Sequence, residues 1–140
     1  MLSLLPLKIG TTVPLPFFIC PVQAGFPSPA DDWLETPLDI NELLITRPAA
    51  TYLLRVAGDS MTPTLEDGDL LVVDRSVNPR SGQIVVAAVA GDLTVKRLGR
   101  GRLEADNPSH PPIILQEDEE LVIWGVVCHV IRSFSTARGR

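Results

Sequence analysis

The chain has 140 residues, 45% hydrophobic and 21% charged, with 13 prolines and a formal net charge of -5 at neutral pH. That length suits one domain with a real core rather than two, and the prolines favour loops and short strands over long helices. Net negative charge without a basic stripe argues against a protein that grips nucleic acid through its own surface, because phosphate binding needs clustered Lys and Arg.

From the N-terminus, residues 9–30 carry no charge. Pro14, Pro16, Pro21, Pro27 and Pro29 interrupt them, so neither a membrane-spanning helix nor the helical core of a signal peptide forms easily, and Lys8 is the only positive side chain ahead of them. Yet Val22 and Ala24 precede Gly25 in the small-x-small pattern that a signal peptidase reads. Residues 1–30 read as an extended, proline-rich arm that does not fold alone.

A short helical turn is expected around Leu38 to Leu44, followed by strands over 52–56, 69–74, 83–90, 92–98 and 121–134, where β-branched and apolar runs are separated by Gly, Pro, Asp and Asn. Gly91-Asp92 is expected as the centre of a two-residue type II′ hairpin, with glycine taking the positive φ at the first central position. Alternation then puts Leu93, Val95 and Arg97 on one face of the returning strand and Thr94, Lys96 and Leu98 on the other.

Arg97, Arg100 and Arg102 cluster loosely, as do Arg132, Arg138 and Arg140, and both groups read as solvated loop and tail charges. Cys20 and Cys128 are too few for a disulfide framework and match no metal spacing, which fits a reducing compartment. His110 falls in an exposed loop and His129 in a strand, as a structural residue, so histidine chemistry is unsupported. No phosphate-binding glycine loop is present, and neither a cofactor nor a metal is expected.

Lysine usage is more informative. The chain has two lysines against ten arginines, and Lys96 is the sole lysine beyond the N-terminal arm. A solvated strand charge is the bland reading. However, Arg97 next door supplies a base on the opposite face, and a guanidinium does not lose its proton in proteins, so a lysine here is a candidate general base. Its candidate nucleophile is Ser60, in the loop GDSMTPTLEDGDLLVVD (58–74), where backbone amides around Asp59 and Met61 could support an oxyanion.

GDSMTPTLEDGDLLVVD followed by TVKRL resembles the self-cleaving Ser-Lys peptidases of the LexA and UmuD family, and AGFPSPADDWLETPLDINELL and WGVVCHVIRSF extend the likeness over nearly the whole chain. The resemblance implies a mostly β, single compact LexA-like peptidase domain of signal-peptidase-like fold with an extended N-terminal arm. Its implied segments are 1–24 (the arm removed by self-cleavage), 25–50 (an arm, linker and dimer-contact segment), 51–135 (the β-rich peptidase domain) and 136–140 (a C-terminal tail). By the same resemblance Ser60 is the nucleophile, Lys96 the general base and Ala24-Gly25 the bond cut.

Its further implications are a cytoplasmic homodimer in the SOS response to DNA damage, cleavage stimulated by the RecA filament on single-stranded DNA, and a cut form that joins a UmuC-type Y-family polymerase in translesion synthesis. Only 24 residues precede the bond, so the helix-turn-helix of the family's repressors is not expected. Other readings remain open: an exported β protein with a signal peptide cut at Ala24-Gly25, a polymerase-binding module without enzymatic activity, and a peptidase acting on other proteins.

Overall fold

In the computed structural model, residues 3–5, 14–18, 34–116 and 121–135 are described. The Ala24-Gly25 bond, Cys20, Arg138 and Arg140 lie outside them. The chain divides into two compact units, Lys8–Thr46 and Met1–Leu7 with Arg47–Arg140.

The smaller unit pairs β2 (Pro14–Phe18) antiparallel with β3 (Leu34–Asp39), which runs into the short helix α1 (Ile40–Leu44). Asp39 starts that helix by accepting a hydrogen bond from the backbone N–H of Asn41 (3.2 Å), the usual role of an aspartate at an N-cap. α1 falls within the expected helical turn.

The larger unit is built on an eight-stranded antiparallel sheet. In chain order its strands are β1 (Ser3–Leu5), β4 (Thr51–Arg55), β5 (Leu70–Asp74), β6 (Ile84–Val89), β7 (Asp92–Leu98), β8 (Arg102–Glu104), β9 (Ile113–Ile114) and β10 (Val122–Ile131). Their spatial order is β1-β4-β5-β10-β6-β7-β8-β9. The mostly β class and the five long strand runs agree with the sequence reading, whereas β1, β2, β3, β8 and β9 are additional. Each of these is short, proline-bearing or both, and so lacks an apolar alternation long enough to register.

Both faces of the sheet are covered. Leu54, Val56, Met61, Leu65, Leu71, Val73, Val86 and Val95 form one buried cluster, and Val85, Ala87, Leu103 and Val126 form another. Neighbours in β6 thus pack into different clusters, because successive side chains leave a strand on opposite faces. Pairing carries that alternation into β7: Val95 lies opposite Val86, and Lys96 lies opposite Val85.

The β6-β7 hairpin forms, but its turn differs from the expected one. Val89 pairs with Asp92, so Ala90 and Gly91 are the two central residues, and their φ angles are 50° and 86°. Positive φ at both positions is a type I′ turn, not type II′ about Gly91-Asp92. Its handedness matches the twist of the strands well enough to hold an alanine where L-residues are disfavoured by about 1–2 kcal/mol. A second constraint sits in β10, where a Cβ on Gly125 would stand 2.6 Å from Cγ1 of the buried Val73.

Replacing Ala90 with Asn should therefore raise unfolding stability by roughly 0.5–1 kcal/mol. Gly125→Ala should lower it by about 1–3 kcal/mol through overpacking. Urea titration measures both. An unchanged midpoint for Ala90→Asn would mean that the turn is unstrained.

Candidate active site

Ser60 lies in the loop between β4 and β5, and Lys96 lies in β7, 36 residues later. Their reactive atoms meet: Nζ of Lys96 is 2.8 Å from Oγ of Ser60. The amine also lies 3.2 Å from Oγ1 of Thr94 and 3.2 Å from the backbone carbonyl of Val95. Thr94 is two residues before Lys96 on the same strand face, as alternation requires. Only 9% of Lys96 is exposed. Among the described residues no carboxylate comes within ion-pair distance of the amine. Loss of hydration without a compensating charge pushes the Lys96 pKa down from its ordinary value.

The pair opens onto a cleft of about 280 Å³ lined by Ala57 to Ser60, Leu93 to Lys96 and His110. Among the described residues, the backbone N–H groups of Ser60 and Met61 have no intramolecular acceptor, which leaves them able to receive one. The Met61 side chain is 1% exposed and belongs to the core, and its sulfur accepts from the Asp106 N–H at 3.4 Å. Met61 thus anchors the loop from below, while Asp59 stands exposed above it.

A remote segment, 105–110, braces the serine loop. Asn107 donates its backbone N–H to the Ser60 carbonyl (3.0 Å) and its side-chain amide to the Asp59 carbonyl (2.9 Å) and the Thr62 hydroxyl (3.2 Å). Asp106 accepts from the Thr64 hydroxyl at 2.6 Å and takes a bidentate clamp from Arg97, Nε to Oδ1 at 2.8 Å and Nη2 to Oδ2 at 2.6 Å. β7 therefore supplies the amine on one face and, on the other, the guanidinium that secures the far side of the loop.

Several expectations need correction. Arg97 is paired, not solvated, and Arg132 clamps the buried Asp69 at 2.7 and 2.6 Å; a carboxylate 2% exposed must be ion-paired or hydrogen-bonded to remain charged. His110 is half-buried at the cleft rim, with Nε2 2.9 Å from Oδ1 of Asp59. His129 is exposed on β10. The support from Asn107 and Asp106 is not legible in the sequence. Its sole local signal is the turn-forming Asn107-Pro108 pair.

Residues 16–128 match the Peptidase S24-like family. Protein ImpA of Escherichia coli is 48% identical over 120 residues, covering 83% of this chain and 82% of that protein. Protein SamA of Salmonella typhimurium is 47% identical over 123 residues (85% and 84%), and protein MucA of Escherichia coli is 44% identical over 120 residues (82% of each). The chain belongs to the Peptidase S24-like family, and its resemblance to the UmuD-like self-cleaving peptidases stands. Among the described residues, no helix is long and apolar enough to cross a membrane, and no group of side chains could hold a metal ion.

The clamps predict an acid response. A hydrogen bond from Arg97 is the main cause holding the Asp106 carboxyl below its usual range, and one from Arg132 does the same for Asp69. Folded pKa values below the unfolded ~3.9 mean that the stabilisation is complete above that value and is lost as pH falls through the folded values. The urea midpoint should fall between about pH 5 and 2, and Asp106→Asn should lower stability at pH 7 while flattening that fall. An equally steep acid fall in Asp106→Asn would show that its clamp contributes nothing.

Proposed function

We propose that this chain is a serine peptidase that cuts itself between Ala24 and Gly25, with Ser60 as nucleophile and Lys96 as general base. The observation that carries the reading is the 2.8 Å contact between a buried amine without a counter-charge and a hydroxyl at a cleft. An ordinary lysine, with pKa about 10.4, is neutral in roughly one molecule in 2,500 at pH 7; desolvation raises that fraction. A neutral amine has two N–H donors and one lone pair. Here the N–H groups go to the Val95 carbonyl and the Thr94 hydroxyl, leaving the lone pair to accept from Ser60 O–H.

Lys96 takes the Ser60 proton as Oγ bonds to the Ala24 carbonyl carbon, and the N–H groups of Ser60 and Met61 hold the resulting oxyanion. Collapse breaks the Ala24-Gly25 C–N bond, and Lys96 returns the proton to the leaving Gly25 nitrogen. Water, deprotonated by Lys96, then hydrolyses the Ala24 ester and frees Ser60. Loop bracing by Asn107 and Asp106 contributes positioning, since near-attack geometry supplies much of an intramolecular rate.

The UmuD-like resemblance carries the biological reading. The chain acts as a cytoplasmic homodimer in SOS mutagenesis. A RecA filament on single-stranded DNA stabilises the cleavage-competent conformation as a coprotease, and the cut product serves a UmuC-type Y-family polymerase in translesion synthesis. Physically the filament shifts a population by binding the competent state more tightly than the other.

Purified full-length chain should yield a fragment beginning at Gly25, at a rate rising about tenfold per pH unit until the Lys96 pKa is passed. Ser60→Ala should abolish the cut. Lys96→Arg should abolish it up to pH 10, because the charge persists and no base forms. Timed gels and N-terminal sequencing read the outcome, and a rate that shows no rise with pH anywhere between about pH 5 and 10 contradicts the assigned base.

A further inference from the structure

Each described strand that precedes the Ala24-Gly25 bond pairs with a strand that follows it. β1 pairs with β4 in the large sheet, with Ser3 opposite Arg55, Leu4 opposite Leu54 and Leu5 opposite Leu53. β2 pairs with β3 in the two-stranded sheet. Among the described strands the large sheet ends in β1 on one side and β9 on the other, so there β1 alone makes β4 an interior strand. On its far side β4 is secured along its whole length by β5, and Leu54 is fully buried in the main core. Removing β1 would thus leave an ordered strand with a row of unpaired N–H and C=O groups, the form of edge to which another chain adds.

We propose that the outer edge of β4, over Leu53–Arg55, is a docking site for an extended polypeptide strand, reserved in the intact chain by Ser3–Leu5 and vacated when the leader is cut away. The last clause rests on the self-cleavage proposed above. While the leader is attached, a short strand competes for its edge at the millimolar effective concentration typical of a tethered segment. Once the bond is cut, strand pairing alone holds the leader; when β2 parts from β3 and the leader leaves, β1 competes only at its bulk concentration, far below that, and yields to a partner that supplies a longer strand. The fitting partner is a protein with an accessible extended segment that pairs antiparallel to β4, and the occupant in place, Ser-Leu-Leu, is the template for its sequence.

Backbone amide exchange in the full-length chain tests this without requiring any cleavage. Leu4→Pro removes an N–H and fixes φ in β1, so the β4 amides facing β1 should exchange faster by roughly tenfold or more, while those bonded to β5 stay protected. A synthetic peptide of residues 1–9, added in excess to Leu4→Pro, should restore protection at the same amides; the peptide carrying its own Leu4→Pro should not. Unchanged exchange in the variant, or failure of the unmodified peptide to protect, overturns the site. Further self-association of Leu4→Pro in sedimentation, irreversible by the peptide, overturns the choice of partner in favour of a second copy. A chain that never cuts itself yet passes these tests keeps the docking edge and loses the peptidase reading, and the reverse pattern separates them the other way.

Discussion

The structure turns on an amine that has been taken out of water with no counter-ion among the described residues. Burying a charged ammonium is costly unless a carboxylate or strong acceptors compensate. Lys96 has two hydroxyls and one backbone carbonyl within hydrogen-bond distance but no carboxylate among the described residues, so nothing of opposite charge offsets the hydration that a cation loses there. Elsewhere in the same domain the chain pairs buried carboxylates with guanidinium groups, Asp69 with Arg132 and Asp74 with Arg47. The contrast makes the lone amine a feature of the site. It is also a liability to the fold: with its folded pKa below the unfolded one, the unfolded chain binds more protons, and stability rises with pH between the two values.

Geometry supports that chemistry through one strand. β7 alternates, so Thr94 and Lys96 face the serine while Arg97 reaches the opposite side and holds Asp106. Asp106 and Asn107 then hold Thr64, Thr62, Asp59 and Ser60. The Ser60 loop, lacking regular structure of its own, is fixed from the core by Met61 and from a distant segment by charged and amide groups. Such support keeps two reactive atoms at bonding distance despite the flexibility of a turn.

Much of this was legible in the residues, for identifiable reasons. β4, β5, β6, β7 and β10 announce themselves because each is an apolar or β-branched run set between stretches rich in Gly, Pro, Asp and Asn. Ser60 and Lys96 are legible through the motif around the serine and the scarcity of lysine. The hairpin turn lies one residue earlier than the sequence suggests because an alanine occupies a left-handed position usually given to Asn or Gly, which makes Gly91 the second central residue and not the first. β8 and β9, of three and two residues, carry no usable periodicity. The bracing by Asn107 spans 45 to 48 residues of chain, and no local pattern encodes a contact at that separation.

Because the chain has only two lysines, the central claim has a clean reporter. Side-chain NMR of isotopically labelled lysine would show two titrations, Lys8 and Lys96, each assigned by substitution. The account predicts that the Lys96 resonance turns over at distinctly lower pH than that of Lys8, and that Ser60→Ala leaves the Lys96 midpoint well below the ordinary range, since burial and not the hydroxyl causes the shift. Coincident titration of the two amines near pH 10.4 would mean that Lys96 remains an ordinary cation and would contradict the account.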